Sequence, residues 1–209
     1  YGDDELIDNN ISPFIKWAGG KRQLLPYIKE KMPLKYKNYI EPFIGGGAVL
    51  FGITPDKAII NDINKALINV YNQIKYNPIE LMDFLSKIDI QSDVEPKEYY
   101  YKKREIFNDK IMKSEYDIEL ASLFIYLNKH FFNGLYRVNS KGLFNVPFNN
   151  SLAKSFNEDN IKAVSRYLQK VTILEGDFEV ACQNAQEGDF IFCDPPYAVV
   201  DEENRFVGY

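Results

Sequence analysis

An α/β fold interrupted by an inserted helical module is what this sequence predicts. Three observations carry the prediction. Strand-like segments gather near the two ends of the chain, apolar residues at helical spacing fill its middle, and three consecutive glycines follow the first strand-like run.

Taken in order, residues 1 to 12 are polar and read as a frayed arm. The stretch "NYIEPFIGGGAVLF" (38 to 51) reads as a short strand, a glycine turn and the start of a helix, and "KAIINDI" (57 to 63) as a second strand ending at Asn61 and Asp62. Leu67, Val70, Tyr71 and Ile74 then repeat with helical period, as do Leu81, Phe84, Leu85 and Ile88, with Pro78 separating the two helices. Leu120, Leu123, Phe124 and Leu127 mark a further helix, and Ile161, Val164 and Leu168 another. Between these lies "FNGLYRVNSKGLFNVPF" (132 to 148), whose apolar halves flank a turn-like cluster at 139–142 and predict a β-hairpin. The segments "KVTILEG" and "DFIFCD" close the list of strands. The expected division is a discontinuous core of residues 1–68 and 165–209 around an insertion of residues 69–164, without internal repeats.

The 209 residues suit one large domain or one domain carrying an insertion, and an apolar share of 45% supports a true core. Cys182 and Cys193 form neither a disulfide framework nor a metal-ligand spacing, and read as reduced, buried thiols of an intracellular, cytoplasmic protein. With His130 as the single histidine, His-based triads and His metal clusters have nothing to be built from, so no metal is expected. No apolar run approaches the ~18 residues that a membrane span needs. The net charge of −5 is unevenly distributed. Lys129, Arg137, Lys141 and Lys154 stand without any acid across 129–154, and only Glu30 opposes the basic residues of 10–37. Two basic patches on an acidic body can bind a polyanion locally.

The chemistry gathers at three places. Gly45, Gly46 and Gly47 allow backbone to approach a ligand closely. Asp62, at the end of the next strand, suits a ribose diol. The spacing does not match a dinucleotide fingerprint, and no phosphate-binding G-x-x-x-x-G-K-[ST] occurs. At the third place, "GDFIFCDPPYAVV" (188 to 200), Asp194 ends a strand, where open α/β sheets bind ligands. Pro195 and Pro196 lack N–H groups, so this stiff turn offers bare carbonyl acceptors beside a carboxylate and the Tyr197 ring. Such a corner is a receptor for a flat ring bearing an amino group. Two acceptors can hold its N–H bonds and turn the nitrogen lone pair outward.

In this order, "FIKWAGGKRQLLPYI", "YIEPFIGGGAVLF", "IINDIN", "FNGLYRVNSKGLFNVPF" and "DPPY" resemble the motifs of the Dam-type DNA adenine-N6 methyltransferases, over essentially residues 13 to 197. The resemblance implies a Rossmann-like core that uses S-adenosylmethionine, with a DNA-recognition insertion. Trp17, Ala18, Gly19 and Lys21 look like the N-terminal cofactor motif, Phe43, Gly45 and Gly47 like the glycine-rich turn, and Asp62 like the ribose-binding acid. Asp177 and Phe178 resemble the pair beside the cofactor's adenine, and Asp194 belongs to both cofactor and catalytic sets. Arg137 resembles the arginine that reads a guanine of GATC, which a guanidinium fork can grip at O6 and N7. Lys16 resembles a lysine on the first base pair, and Phe132, Asn133, Leu135 and Pro147 fall on the DNA-contacting hairpin. The implied catalytic group is Asp194, Pro195, Pro196 and Tyr197, acting on an adenine flipped out of duplex DNA without a metal.

Two departures stand out. Where the family continues "FNVPF" with a basic stretch, this chain has "NNSLAKSFNEDN". The chain also ends soon after Tyr197, so the C-terminal part of the core is expected to be missing, as in a fragment. Rival expectations are an amino-methyltransferase acting on RNA or cytosine N4, and a non-catalytic DNA-binding module.

Overall fold

The computed structural model describes residues 11–19, 21–131 and 136–196, together with the backbone of 199–200 and 206–207. Four parallel strands form the central sheet: β1 (Tyr39–Glu41), β2 (Ala58–Asp62), β3 (Val171–Glu175) and β4 (Phe190–Ile191), in the order β3-β2-β1-β4. All three residues of β1 are buried, as befits the sheet interior. Register on the β4 side is pinned by Asp189, whose Oδ1 accepts from both the backbone and the side-chain nitrogens of Asn38 at 3.0 Å. The backbone of Val199–Val200 (β5) pairs antiparallel with that of Phe206–Val207 (β6).

A short 3-10 turn (Arg22–Leu24) leads into α1 (Leu25–Lys31). After β1 comes α2 (Ala48–Ile53), entered through Gly47 at φ 77°. Next are α3 (Lys65–Tyr76), α4 (Pro78–Ser92), α5 (Pro96–Met112) and α6 (Ile118–His130), and later α7 (Glu158–Leu168) and α8 (Phe178–Cys182). Side chains of Asn64, Asp117 and Asn157 cap α3, α6 and α7 by accepting from Leu67, Leu120 and Asn160 N–H groups. Pro78 starts α4 at a position whose missing N–H costs nothing. The stripe Leu67, Val70, Tyr71 and Ile74 is wholly buried on α3, which packs on β2 and β3 and against α6 and α7.

Several expectations need correction. Phe84 is 39% exposed at the margin of the α4 stripe, while Leu81, Leu85 and Ile88 are buried. The arm is not free at its end: Asn160 on α7 holds Ser12 through a reciprocal pair of hydrogen bonds of 3.0 and 2.9 Å, and residues 1–10 lie outside the described set. Cys193 is exposed and Cys182 half-buried, because the first follows β4, the outermost strand of the described sheet. The hairpin is sparsely paired among the described residues. Isolated antiparallel bridges join Phe131 to Phe148 and Val138 to Phe144, and the Asn139 N–H donates to the Leu143 carbonyl at the turn.

The 68/69 boundary falls within α3, and one apolar core contains residues from both segments, among them Tyr39, Ile60, Leu85, Phe124 and Leu168. The helix α6 is the hub, touching α3, α4 and α5. Its residues from Leu120 to Asn128 are buried throughout.

Candidate active site and cofactor cleft

The strand order reverses at β1: the chain passes to β2 and β3 on one side and returns to β4 on the other. Open α/β sheets place ligand crevices at the carboxyl ends of strands at such a reversal. A cleft of about 1370 Å³ opens there. Among its lining residues are Glu41 at the end of β1, Asp62 at the end of β2 and Asp194 beyond β4. The ladder bond from Phe192 N–H to the Ile40 carbonyl (2.9 Å) sets Asp194 beside that end of the sheet.

Of the residues singled out from sequence, Trp17, Ala18, Gly19, Lys21, Phe43, Gly45, Gly47, Asp62, Asp194, Pro195 and Pro196 line this one cleft. Lys21 Nζ lies 3.8 Å from Asp194 Oδ1, with both side chains about a quarter exposed. Tyr197 lies outside the described residues, as do Phe132, Asn133 and Leu135. Asp177 and Phe178 are not among the lining residues. The Asp177 carboxylate caps α8 by accepting from Glu179 N–H at 2.9 Å, and Phe178 reaches the cleft through its stack on Phe43, at 6.2 Å. Lys16, Arg137 and Pro147 are exposed outside the lining, although Val138 and Gly142 from the Arg137 turn do border the cleft. Arg137 Nε donates to Asn145 Oδ1 at 3.2 Å.

The glycine turn is shaped by packing as much as by any ligand. A Cβ on Gly45 would lie 2.7 Å from the Trp17 indole, and one on Gly46 2.9 Å from Trp17 Cβ. Gly45 also sits at φ 50°, a left-handed conformation that glycine adopts freely. Its N–H donates to Asp62 Oδ2 (3.1 Å) and its carbonyl accepts from the Tyr71 hydroxyl (2.9 Å). Asp62 Oδ1 in turn accepts from the Asn64 N–H at 3.0 Å, so one carboxylate braces two turns. Burial raises the Asp62 pKa, and these backbone donors oppose part of the rise. Trp17 is placed by Asn128 of α6, whose side chain accepts from the Lys16 N–H (2.8 Å) and donates to the Lys16 carbonyl (2.7 Å).

Glu41, Asn61, Asn128 and Tyr136 escaped the sequence reading. Glu41 is 3% exposed, accepts a hydrogen bond from the Tyr39 hydroxyl, and is pushed up to about 8 by burial, with Asp194 and Asp62 adding to the rise. A carboxyl within the apolar run "YIEPF" was the signal that could have revealed it. Asn61 is fully buried, and its amide donates to the carbonyls of Pro42, Gly176 and Asp177, tying the loops after β1 and β3 to β2. Among the described residues, no group of three or more His, Cys, Asp or Glu is arranged to hold a metal ion, and no helix is long and apolar enough to cross a membrane.

Known proteins resemble this chain over most of its length. Residues 17–209 match the family model for D12 class N6 adenine-specific DNA methyltransferases. The chain is 44% identical over 203 residues to the Type II methyltransferase M1.LlaDCHI of Lactococcus lactis subsp. cremoris, covering 96% of this chain and 70% of that protein. It is 41% identical over 214 residues to the Type II methyltransferase M.MjaIII of Methanocaldococcus jannaschii, covering 95% and 73%. With the DNA adenine methylase of Haemophilus influenzae it shares 39% over 197 residues, covering 94% and 68%. By the extent of these matches, the chain belongs to the D12 class N6 adenine-specific DNA methyltransferase family.

Proposed function

We propose that this protein transfers a methyl group from S-adenosylmethionine to adenine N6 in duplex DNA at GATC sites, acting on a base rotated out of the helix. The observation that carries the reading is the convergence of Asp194, Pro195 and Pro196 with Trp17, Gly45 and Asp62 on one cleft, bordered by the turn that holds Arg137. The cleft exceeds the ~300–1,000 Å³ of a typical small-molecule site, which gives room for a cofactor and a flipped base together. Its lining suits this cofactor: Asp62 and Asp194 supply acceptors for ammonium and ribose hydroxyls, and Lys21 supplies a cation for a carboxylate.

In this reading Trp17, Ala18, Gly19, Lys21, Phe43, Gly45, Gly47 and Asp62 hold the cofactor, with Asp177 and Phe178 at its adenine end. The bound cofactor supplies an electrophilic methyl group on a sulfonium. Asp194 and the Pro195 carbonyl accept the N6 hydrogens and aim the nitrogen lone pair, Pro196 keeps the corner rigid, and Tyr197 stacks on the base. The segment 69–164 recognises DNA, with Arg137 on a guanine and with Phe132, Asn133, Leu135 and Pro147 along the target, while Lys16 of the core contacts the first base pair. Flipping costs roughly a few kcal/mol, which contacts from the basic turn offset.

The test is methyl transfer to duplex oligonucleotides with mapping of the modified base. GATC duplexes should be methylated at adenine N6, and Asp194→Ala should lower the rate by at least about 100-fold while DNA binding persists. Arg137→Ala should cost about 1–3 kcal/mol and relax specificity at one base pair. Transfer to RNA or to cytosine N4 would replace this reading, and equal losses by Arg137→Ala on every sequence would remove Arg137 from base recognition.

A further inference from the structure

Tyr136 precedes Arg137 in sequence yet belongs to the cofactor cleft. Its ring stacks on Trp17 at 5.4 Å and 20°, on Phe124 at 5.4 Å and 16°, and on Phe144 at 5.4 Å and 27°. Trp17 in turn fills the space above Gly45 and Gly46. Phe144 is fixed at the far side by Asn108 of α5, whose side chain donates to its carbonyl (2.9 Å) and accepts from its N–H (2.8 Å), and it bridges Val138 across the turn. A continuous row therefore runs from the glycine turn through Trp17 and Tyr136 to Phe144, and Arg137 is bonded directly to its middle member. Its neighbour Asn145 closes the turn: Asn145 N–H donates to the Arg137 carbonyl at 3.3 Å, and its side chain accepts from Arg137 Nε.

Such a row links its members by direct ring contact. Each ring is confined between partners, and an aromatic pair contributes about 0.5–1.5 kcal/mol beyond its buried area. A ligand seated against Trp17 presses on the ring that stacks on Tyr136, and Tyr136 is joined through the backbone to Arg137. Simple core packing would explain a buried ring at this position. It would not require the ring to line the cleft, nor to join Trp17 to the turn.

We propose that Tyr136 is a positioning residue that couples occupancy of the cofactor end of the cleft to the geometry of the Arg137 turn, so that cofactor and duplex DNA bind cooperatively. The inference rests on the methyltransferase reading above, and its test separates the two. Trp17 is the sole tryptophan and lies in the row itself, so its fluorescence reports cofactor-site binding directly. The probe is sinefungin, a non-transferring analogue of S-adenosylmethionine, and affinity for a GATC duplex is measured with and without it at saturation.

In the unaltered protein, sinefungin should tighten DNA binding about tenfold, within the usual range of coupling between sites. Tyr136→Phe, which keeps the ring, should preserve that ratio. Tyr136→Leu should bring it close to one, with sinefungin held at saturation for the variant's own affinity. Should Tyr136→Leu unfold in a thermal melt, Phe144→Leu breaks the row one ring further on and must lower the ratio in the same way. A ratio kept in the folded leucine variant overturns the proposal, as does a ratio of one in an unaltered protein that binds both ligands. Failure to bind sinefungin at all would instead sink the methyltransferase reading, and the coupling with it.

Discussion

Glu41 sits where a charge is hardest to keep. It is enclosed at the centre of the sheet and turned toward a cleft that already holds Asp62 and Asp194. Removal from water penalises the carboxylate, so its pKa is pushed up to about 8 and it stays protonated at neutrality. In the unfolded chain the same group ionises near the ordinary glutamate value. The folded state therefore binds the extra proton between that value and about 8, and stability falls as pH rises through this window. Glu41→Gln removes the titration while keeping a neutral group of similar shape. Chemical denaturation at several pH values should show the part of the parent's fall between pH 5 and 8 that Glu41 causes removed in the variant, with a gain on the order of a few kcal/mol at pH 8 over the parent. A parental slope retained in the variant would assign the proton to another group. Asp62 shows the complementary lesson. Its type and place at the end of β2 were legible in "IINDIN", but its second duty, bracing the N–H groups of Gly45 and Asn64, depends on turns brought together by folding.

At the scale of elements, the junction of α5 and α6 is held by a buried lysine. Lys110, 7% exposed, lies 2.7 Å from Asp117, 3.3 Å from Glu115 and 3.6 Å from Glu119. Burial pulls its pKa down, but the Asp117 hydrogen bond and the surrounding carboxylates outweigh this and leave it raised. Asp117 also caps α6 by accepting from Leu120 N–H at 2.8 Å, so one side chain serves two elements. Asp117→Ala should lower stability by about 2 kcal/mol, and Asp117→Asn, which retains the cap, by roughly half as much. Equal losses from the two, read by thermal denaturation, would argue that the cap contributes nothing. The helix α5 was not legible in advance. Its buried residues are Tyr100, Phe107 and Lys110, and its other apolar residues, Tyr99, Tyr101, Ile106, Ile111 and Met112, are spread among charges on several sides, so no single apolar stripe announces it. Helices α3 and α7 show such stripes and were read correctly from them.

For the whole molecule, a cleft formed by the ends of β1, β2 and β4 and the 13–19 loop exists only in the folded state, so any ligand it holds stabilises the fold by mass action. Sinefungin at about 100 times its Kd should add about 2.7 kcal/mol, a rise in Tm of roughly 5–10 °C. Asp62→Ala should reduce that rise to less than about 2 °C, whatever the variant's own starting Tm. A full rise in the variant would exclude Asp62 from ligand binding. What the sequence alone determined was chemistry and local form: a glycine turn after a strand, an acid ending the next strand, a stiff Asp-Pro-Pro corner, and amphipathic helices between them. These are properties of neighbours in the chain, set by backbone sterics and by periodicity. Only the tertiary structure decided that Trp17 roofs the glycine turn, that Glu41 is buried among acids, that Asp177 caps a helix outside the cleft lining, and that Tyr136 joins the cleft to the Arg137 turn. Each of these rests on contacts between residues distant in sequence or on removal from water, and both arise only when the strands assemble around β1 and α6 packs across them.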